Sequence, residues 1–143
     1  MYDKADELID WDAFAETQKL LGSGIVRILG YFGEDGMKSV AAIEEAMHLH
    51  DSAGLVMPAH TLKGVAYQFG AQRLGDLAEE IEVTARHYVE IHQDPSDLIK
   101  SAAALRPVFE KTMLVLEAEM SPLVERRPAA PKIQRLFGQP QYQ

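Results

Sequence analysis

A chain of 143 residues is the size of one domain built on one core, and its apolar fraction of 47% and charged fraction of 25% are those of an ordinary soluble globular protein. The formal net charge of −8 argues against nucleic-acid binding, which needs clustered Lys and Arg, and against an anionic membrane surface. With no cysteine, disulfides, thiolate chemistry and Cys-ligated metals are excluded. The first residues, Met1 to Glu7, lack the basic stretch and apolar run of a signal peptide, and no apolar run is long enough to span a bilayer. A cytoplasmic protein is the default expectation. Helix formers dominate and alternating β-branched runs are missing, which predicts an all-α fold.

The first helix is expected to start after Asp10, with Asp10 or Asp12 as N-cap, and to run through Phe14 to Leu21. Gly22-Ser23-Gly24 punctuates the chain. A second helix carries Ile25, Ile28, Leu29 and Phe32, then Val40, Ile43 and Met47 beyond Gly30, Gly33 and Gly36. Each interior glycine costs about 1 kcal/mol relative to alanine. A break between Gly33 and Gly36 is favoured locally, and packing could override it; the sequence leaves both open.

Asp51-Ser52 caps a third helix that runs to about Phe69, with Gly70 as its stop. Pro58 either kinks this helix, with Gly54 four residues back relaxing to accept the ring, or begins it. A fourth helix is expected from Gln72 to about His92 on Leu74, Leu77, Ile81 and Val89. After the turn Asp94-Pro95-Ser96-Asp97, a fifth carries Leu98, Leu105, Val108, Phe109, Met113 and Leu116, with Pro107 as a kink. Short loops between amphipathic helices make them antiparallel neighbours, so residues 1–121 are expected to form a helical bundle. Residues 122–143, with Pro122, Pro128, Pro131 and Pro140 and a basic stretch from Arg126 to Arg135, read as an extended or disordered tail, or as a docking segment or a strap against the bundle.

The third helix carries the chemistry. Leu55, Ala59, Leu62, Ala66 and Phe69 recur at spacings of 4, 3, 4 and 3, one helical face. At about 100° per residue, His60 projects nearly opposite that stripe, toward solvent or a surface groove. Helical side chains cover the turn before them, so a side chain at position 64 would lie over the imidazole; Gly64 removes it. Lys63 brings an ammonium to the same ring. An exposed histidine, an adjacent cation and missing steric cover together describe a phosphoryl acceptor. The plain alternatives are a surface histidine, a glycine placed for close helix packing, and a solvated lysine.

His60-Thr61-Leu62-Lys63-Gly64, followed by Phe69-Gly70-Ala71 and Leu74, resembles the H-x-L-K-G-x-x-x-x-x-G-A-x-x-L signature of histidine-containing phosphotransfer domains. More loosely, helix order and length resemble that family over residues 10 to 120. The resemblance implies an antiparallel four-helix bundle with an additional N-terminal helix, phosphorylation of His60 on Nε2, electrostatic help from Lys63 and access through Gly64. It also implies a partner for Nδ1 on the following helix, commonly glutamine. The matching register here is Glu82, with Glu79 as substitute, and a carboxylate would also fix the tautomer. Val65 departs from a small polar position, and Tyr67-Gln68 from a smaller pair.

No G-x-x-x-x-G-K nucleotide loop is present, so no kinase activity and no cofactor of its own are expected. The expected partners are response-regulator receiver domains, that of a hybrid histidine kinase included, which would supply Mg²⁺ and the acidic pocket. Monomer is the default. Candidate docking residues are Val56, Tyr67 and Ala71, with exposed apolar residues of the first helix. Net charge of −8 leaves local attraction to Lys63 and nearby basic residues.

Three other readings compete. A di-metal bundle needs two Glu-x-x-His pairs, and only Glu45 with His48 fits; His48 and His50, and His87 and His92, stand on unsuitable spacings. A non-phosphorylated interaction module would need only the docking face, with no use for His60, Lys63 and Gly64 together. A histidine-kinase core would need a second, nucleotide-binding domain.

Overall fold

The computed structural model describes residues 7–120. Five helices follow in order: α1, Trp11–Leu21; α2, Ile25–His48; α3, Ser52–Gln68; α4, Gln72–Glu90; and α5, Ile99–Met120. Single 3₁₀ turns, Gly22–Gly24 and Pro95–Leu98, lead into α2 and α5. Among the described residues there is no strand. Two compact units divide the chain, residues 1–112 and 113–143, with the boundary inside α5. In the first, α2, α3, α4 and the start of α5 form an antiparallel four-helix bundle, with α1 as the additional N-terminal helix. The Pro-rich segment 122–143 lies outside the described residues.

Local chemistry sets the helix ends. The Asp10 carboxylate accepts from the amides of Asp12 and Ala13 at 3.1 and 3.2 Å, and Asp51 accepts from Gly54 at 2.9 Å. Gly70, at φ +74°, ends α3 in the left-handed region. Its carbonyl also receives the Asp10 amide at 2.7 Å, and a Cβ there would come within 2.5 Å of the Asp10 carbonyl oxygen. Conformation and close approach both demand glycine, which joins the start of α1 to the end of α3.

α2 runs unbroken through Gly30, Gly33 and Gly36, so the local preference for a break is overridden. Packing supplies the reason at Gly36, where a Cβ would sit 2.5 Å from Phe109 Cε1. Phe32 stacks on Phe69, with centroids 5.4 Å apart, and meets Phe109 edge-on at 6.0 Å. These rings lock α2 to the end of α3 and to α5. Pro58 lies inside α3, not at its start, and Pro107 lies inside α5.

Polar ties complete the frame. Arg106 grips Glu44 through two contacts of 2.8 and 2.7 Å, joining α5 to α2. At one end of the bundle the α2–α3 and α4–α5 turns are linked, by His50 Nδ1 with Asp94 at 2.9 Å and by Ser52 Oγ donating to the Gln93 carbonyl at 2.7 Å. No described helix is long and apolar enough to cross a membrane.

Candidate functional site

α3 turns its apolar stripe fully inward: Leu55, Ala59, Leu62, Ala66 and Phe69 are all at most 1% exposed. His60 therefore projects outward, and 52% of its side chain is open to solvent. A Cβ built on Gly64 would meet nothing within 4 Å. No neighbouring helix requires that glycine, so close packing does not explain it, and the space beside the imidazole is open.

α4 lies antiparallel against α3 and brings Glu82 to His60. Glu82 Oε2 stands 2.9 Å from His60 Nδ1, and Oε1 stands 2.9 Å from Lys63 Nζ. Arg86, one turn along α4, donates to Oε2 through Nε at 3.1 Å and through a terminal nitrogen at 2.9 Å. Glu82 itself is only 4% exposed. Burial alone would raise its carboxyl, but hydrogen bonds from Lys63, Arg86 and His60 override burial and lower it from 4.5 to about 2. The group is thus an ionised carboxylate near neutral pH. An ionised carboxylate only accepts, so Nδ1 is the donor in this contact and the lone pair of the neutral imidazole lies on Nε2.

Glu79, the alternative partner, is engaged elsewhere: with Asp76 it accepts from the Tyr67 hydroxyl, at 3.1 and 2.6 Å. Burial, then those two carboxylates, push the Tyr67 phenol well above its ordinary range. Its ring lies across α4 where Gly75 has no side chain, and a Cβ on Gly75 would collide with it. Tyr67 is consequently half-buried and fixed in place, one helical turn from Gly64.

Val56 is half-buried beside His60 on α3. Ala71 must be corrected as a docking residue, because it is 0% exposed. The turn at Gly70 folds it inward, with its amide donating to the Ala66 carbonyl at 2.8 Å. On α1, Trp11 and Leu20 expose apolar surface at 41% and 81%. The structure adds features beyond the sequence reading: Arg86, Gly75, and a cleft between α2 and α3 lined by Ile28, Tyr31, Thr61, Val65 and Gln68. Arg86 had a readable signal, its i,i+4 spacing from Glu82. Gly75 and the cleft had none, since both depend on which helices meet. Among the described residues no group of three or more His, Asp or Glu could hold a metal ion.

An exposed imidazole with one nitrogen pinned and the other free is a nucleophile of fixed orientation. The fold around it has a solved counterpart. The crystal structure of histidine-containing phosphotransfer protein B from Pseudomonas aeruginosa PAO1 is similar with a TM-score of 0.71, covering 80% of this chain and 95% of that one. Identity is 19%, so that likeness is one of fold. No curated protein matches the chain. The family model of the Hpt domain matches residues 27–120, a span that holds His60, Lys63, Gly64 and Glu82. The chain belongs to the Hpt domain family.

Proposed function

We propose that the protein carries a phosphoryl group on Nε2 of His60 between aspartates of receiver domains in a phosphorelay. The observation that carries this reading is the contact of exposed His60, through Nδ1, with the buried, ionised Glu82. In the forward step the Nε2 lone pair attacks phosphorus of a receiver's aspartyl phosphate. The N–P bond forms, the P–O bond to aspartate breaks, and the aspartate leaves as carboxylate. Nδ1 keeps its proton throughout, and the positive charge that develops on the ring faces the Glu82 carboxylate. Transfer onward is the reverse, with the next aspartate attacking and the electron pair returning to Nε2. No proton has to move at His60 in either direction.

Lys63, one helical turn from His60 and with Nζ 2.9 Å from Glu82 Oε1, offers charge to the phosphoryl oxygens. Gly64 leaves the in-line approach open. Val56 and Tyr67, with the exposed Trp11, Leu20 and Tyr31 of α1 and α2, supply apolar area for the receiver to dock on. Mg²⁺ and the acidic pocket belong to the receiver, and the carrier has no kinase activity and no cofactor of its own.

The test is incubation with phosphorylated receiver domains, followed by a search for an acid-labile phosphoryl group on the carrier. The expected result is label on the wild type and none on His60→Gln. A wild type that binds receivers and stays unlabelled would leave a non-phosphorylated interaction module.

A further inference from the structure

Along the seam of α3 and α4, His60, Lys63 and Tyr67 follow one another at helical spacing, and Glu82, Glu79 and Asp76 face them from α4. The seam thus holds three carboxylates, and only Glu82 serves His60. Glu82 is buried, and its charge is met by Lys63, Arg86 and His60 Nδ1. Glu79, one helical turn away, is exposed and makes no ion pair with Lys63 among the described residues. Its Oε1 is turned instead to the Tyr67 hydroxyl, at 3.1 Å. Asp76 takes the same hydroxyl at 2.6 Å and also the Gln72 amide at 3.1 Å, so it keeps a partner without Tyr67. Glu79 has no such second hold on α4. Lys63 is the only lysine or arginine of α3 and stands four residues before Tyr67 on the same face. The phenol itself is fixed, because its ring fills the place a side chain on Gly75 would take. A glycine inside α4 costs about 1 kcal/mol relative to alanine, and here it makes room for that one ring.

We propose that Tyr67 is a positioning residue of the phosphoryl site, its hydroxyl holding Glu79 away from Lys63 and from the group carried on Nε2 of His60. This rests on the reading of His60 as phosphoryl carrier. A phosphoryl group brings nearly two negative charges to the seam. A released Glu79 repels that group and competes with it for the Lys63 ammonium. Tyr67 prevents both by giving Glu79 a donor of its own, on a ring that packing against Gly75 keeps in place. Tyr67 and Gly75 therefore work as a pair, a large side chain on α3 against a missing one on α4.

Phosphoramidate provides a test that needs no receiver, so that docking on Tyr67 does not enter. The Nε2 lone pair attacks its phosphorus, the new N–P bond forms, the old P–N bond breaks, and ammonia leaves. Tyr67→Phe keeps the ring over Gly75 and removes only the hydroxyl. Wild type, Tyr67→Phe, Glu79→Gln and the double variant are compared for rate of labelling at His60, at ionic strengths of about 0.01 and 1 M, where the screening length is about 30 and 3 Å. Tyr67→Phe is expected to label about fivefold more slowly at low salt, the order of effect of one carboxylate brought beside the phosphoryl group, and the deficit is expected to shrink at high salt. Glu79→Gln alone is expected to label like wild type, and in the double variant to restore the rate lost by Tyr67→Phe. Labelling of Tyr67→Phe at the wild-type rate at low salt would overturn the proposal. A loss that persists at high salt and that Glu79→Gln does not restore would overturn it too, in favour of a hydroxyl that only supports the bundle. A wild type that phosphoramidate does not label at His60 overturns the carrier reading and this inference together.

Discussion

Glu82 concentrates the energetics of the site on one side chain: a buried carboxylate with three nitrogen-bearing partners on two helices. Its carboxyl is lowered from 4.5 to about 2, so the folded state binds its proton more weakly than the unfolded chain. That stability is present in full above pH 4.5 and is lost as pH falls toward 2, with an upper bound on the order of 3 kcal/mol. Glu82→Gln is expected to flatten this part of the acid-unfolding curve, measured by helical circular dichroism between pH 2 and 5. An unchanged curve would mean that the carboxylate is not engaged as described. Legibility at this scale was uneven. His60 could be oriented from apolar spacing alone, because a helical face is a local property. Glu82 followed from register by resemblance to the family. The burial of Ala71 depends on the fold of the Gly70 turn, which spacing does not encode.

At the scale of single helices, two glycines of similar helical setting serve opposite ends. Gly36 of α2 makes room for Phe109, whereas Gly64 of α3 faces open space. Gly36→Ala is expected to destabilise by about 1–3 kcal/mol through overpacking against the Phe109 ring, read as a lower midpoint in urea. Gly64→Ala is expected to stabilise by about 0.5–1 kcal/mol through helix propensity, while slowing phosphoryl transfer by covering the imidazole. A gain in stability joined to a loss of transfer separates an access role from a packing role, and transfer at the wild-type rate would remove the access role. The same contrast explains what remained open in the sequence of α2. Glycine content argues for a break, and the ring that fills the gap comes from α5, more than seventy residues later.

For the whole molecule, the number and order of helices were readable from caps and apolar periodicity, since Asp10, Asp51 and Gly70 act within their own turns. The α2–α3 cleft and the contact of Tyr67 with Gly75 were not, because they arise only when helices pack. Net charge is another property of the molecule as a whole. At −8, the carrier repels any acidic receiver at long range. Association with a receiver of net negative charge is expected to speed up as ionic strength rises from about 0.01 to 0.15 M, where the screening length falls from about 30 to 8 Å. Stopped-flow association rates that fall steeply over that range would show that attraction between oppositely charged patches dominates instead.

Whether His60 carries the phosphoryl group on Nε2, with Glu82 holding the proton on Nδ1, is decided by locating the phosphorus on the ring. Wild-type protein labelled from a phosphorylated receiver domain, with ¹⁵N-histidine incorporated, is examined for ³¹P–¹⁵N coupling. The expected result is coupling to Nε2 of His60 and no label on His60→Gln. Phosphorus on Nδ1, on another histidine, or equally on His60→Gln would contradict it.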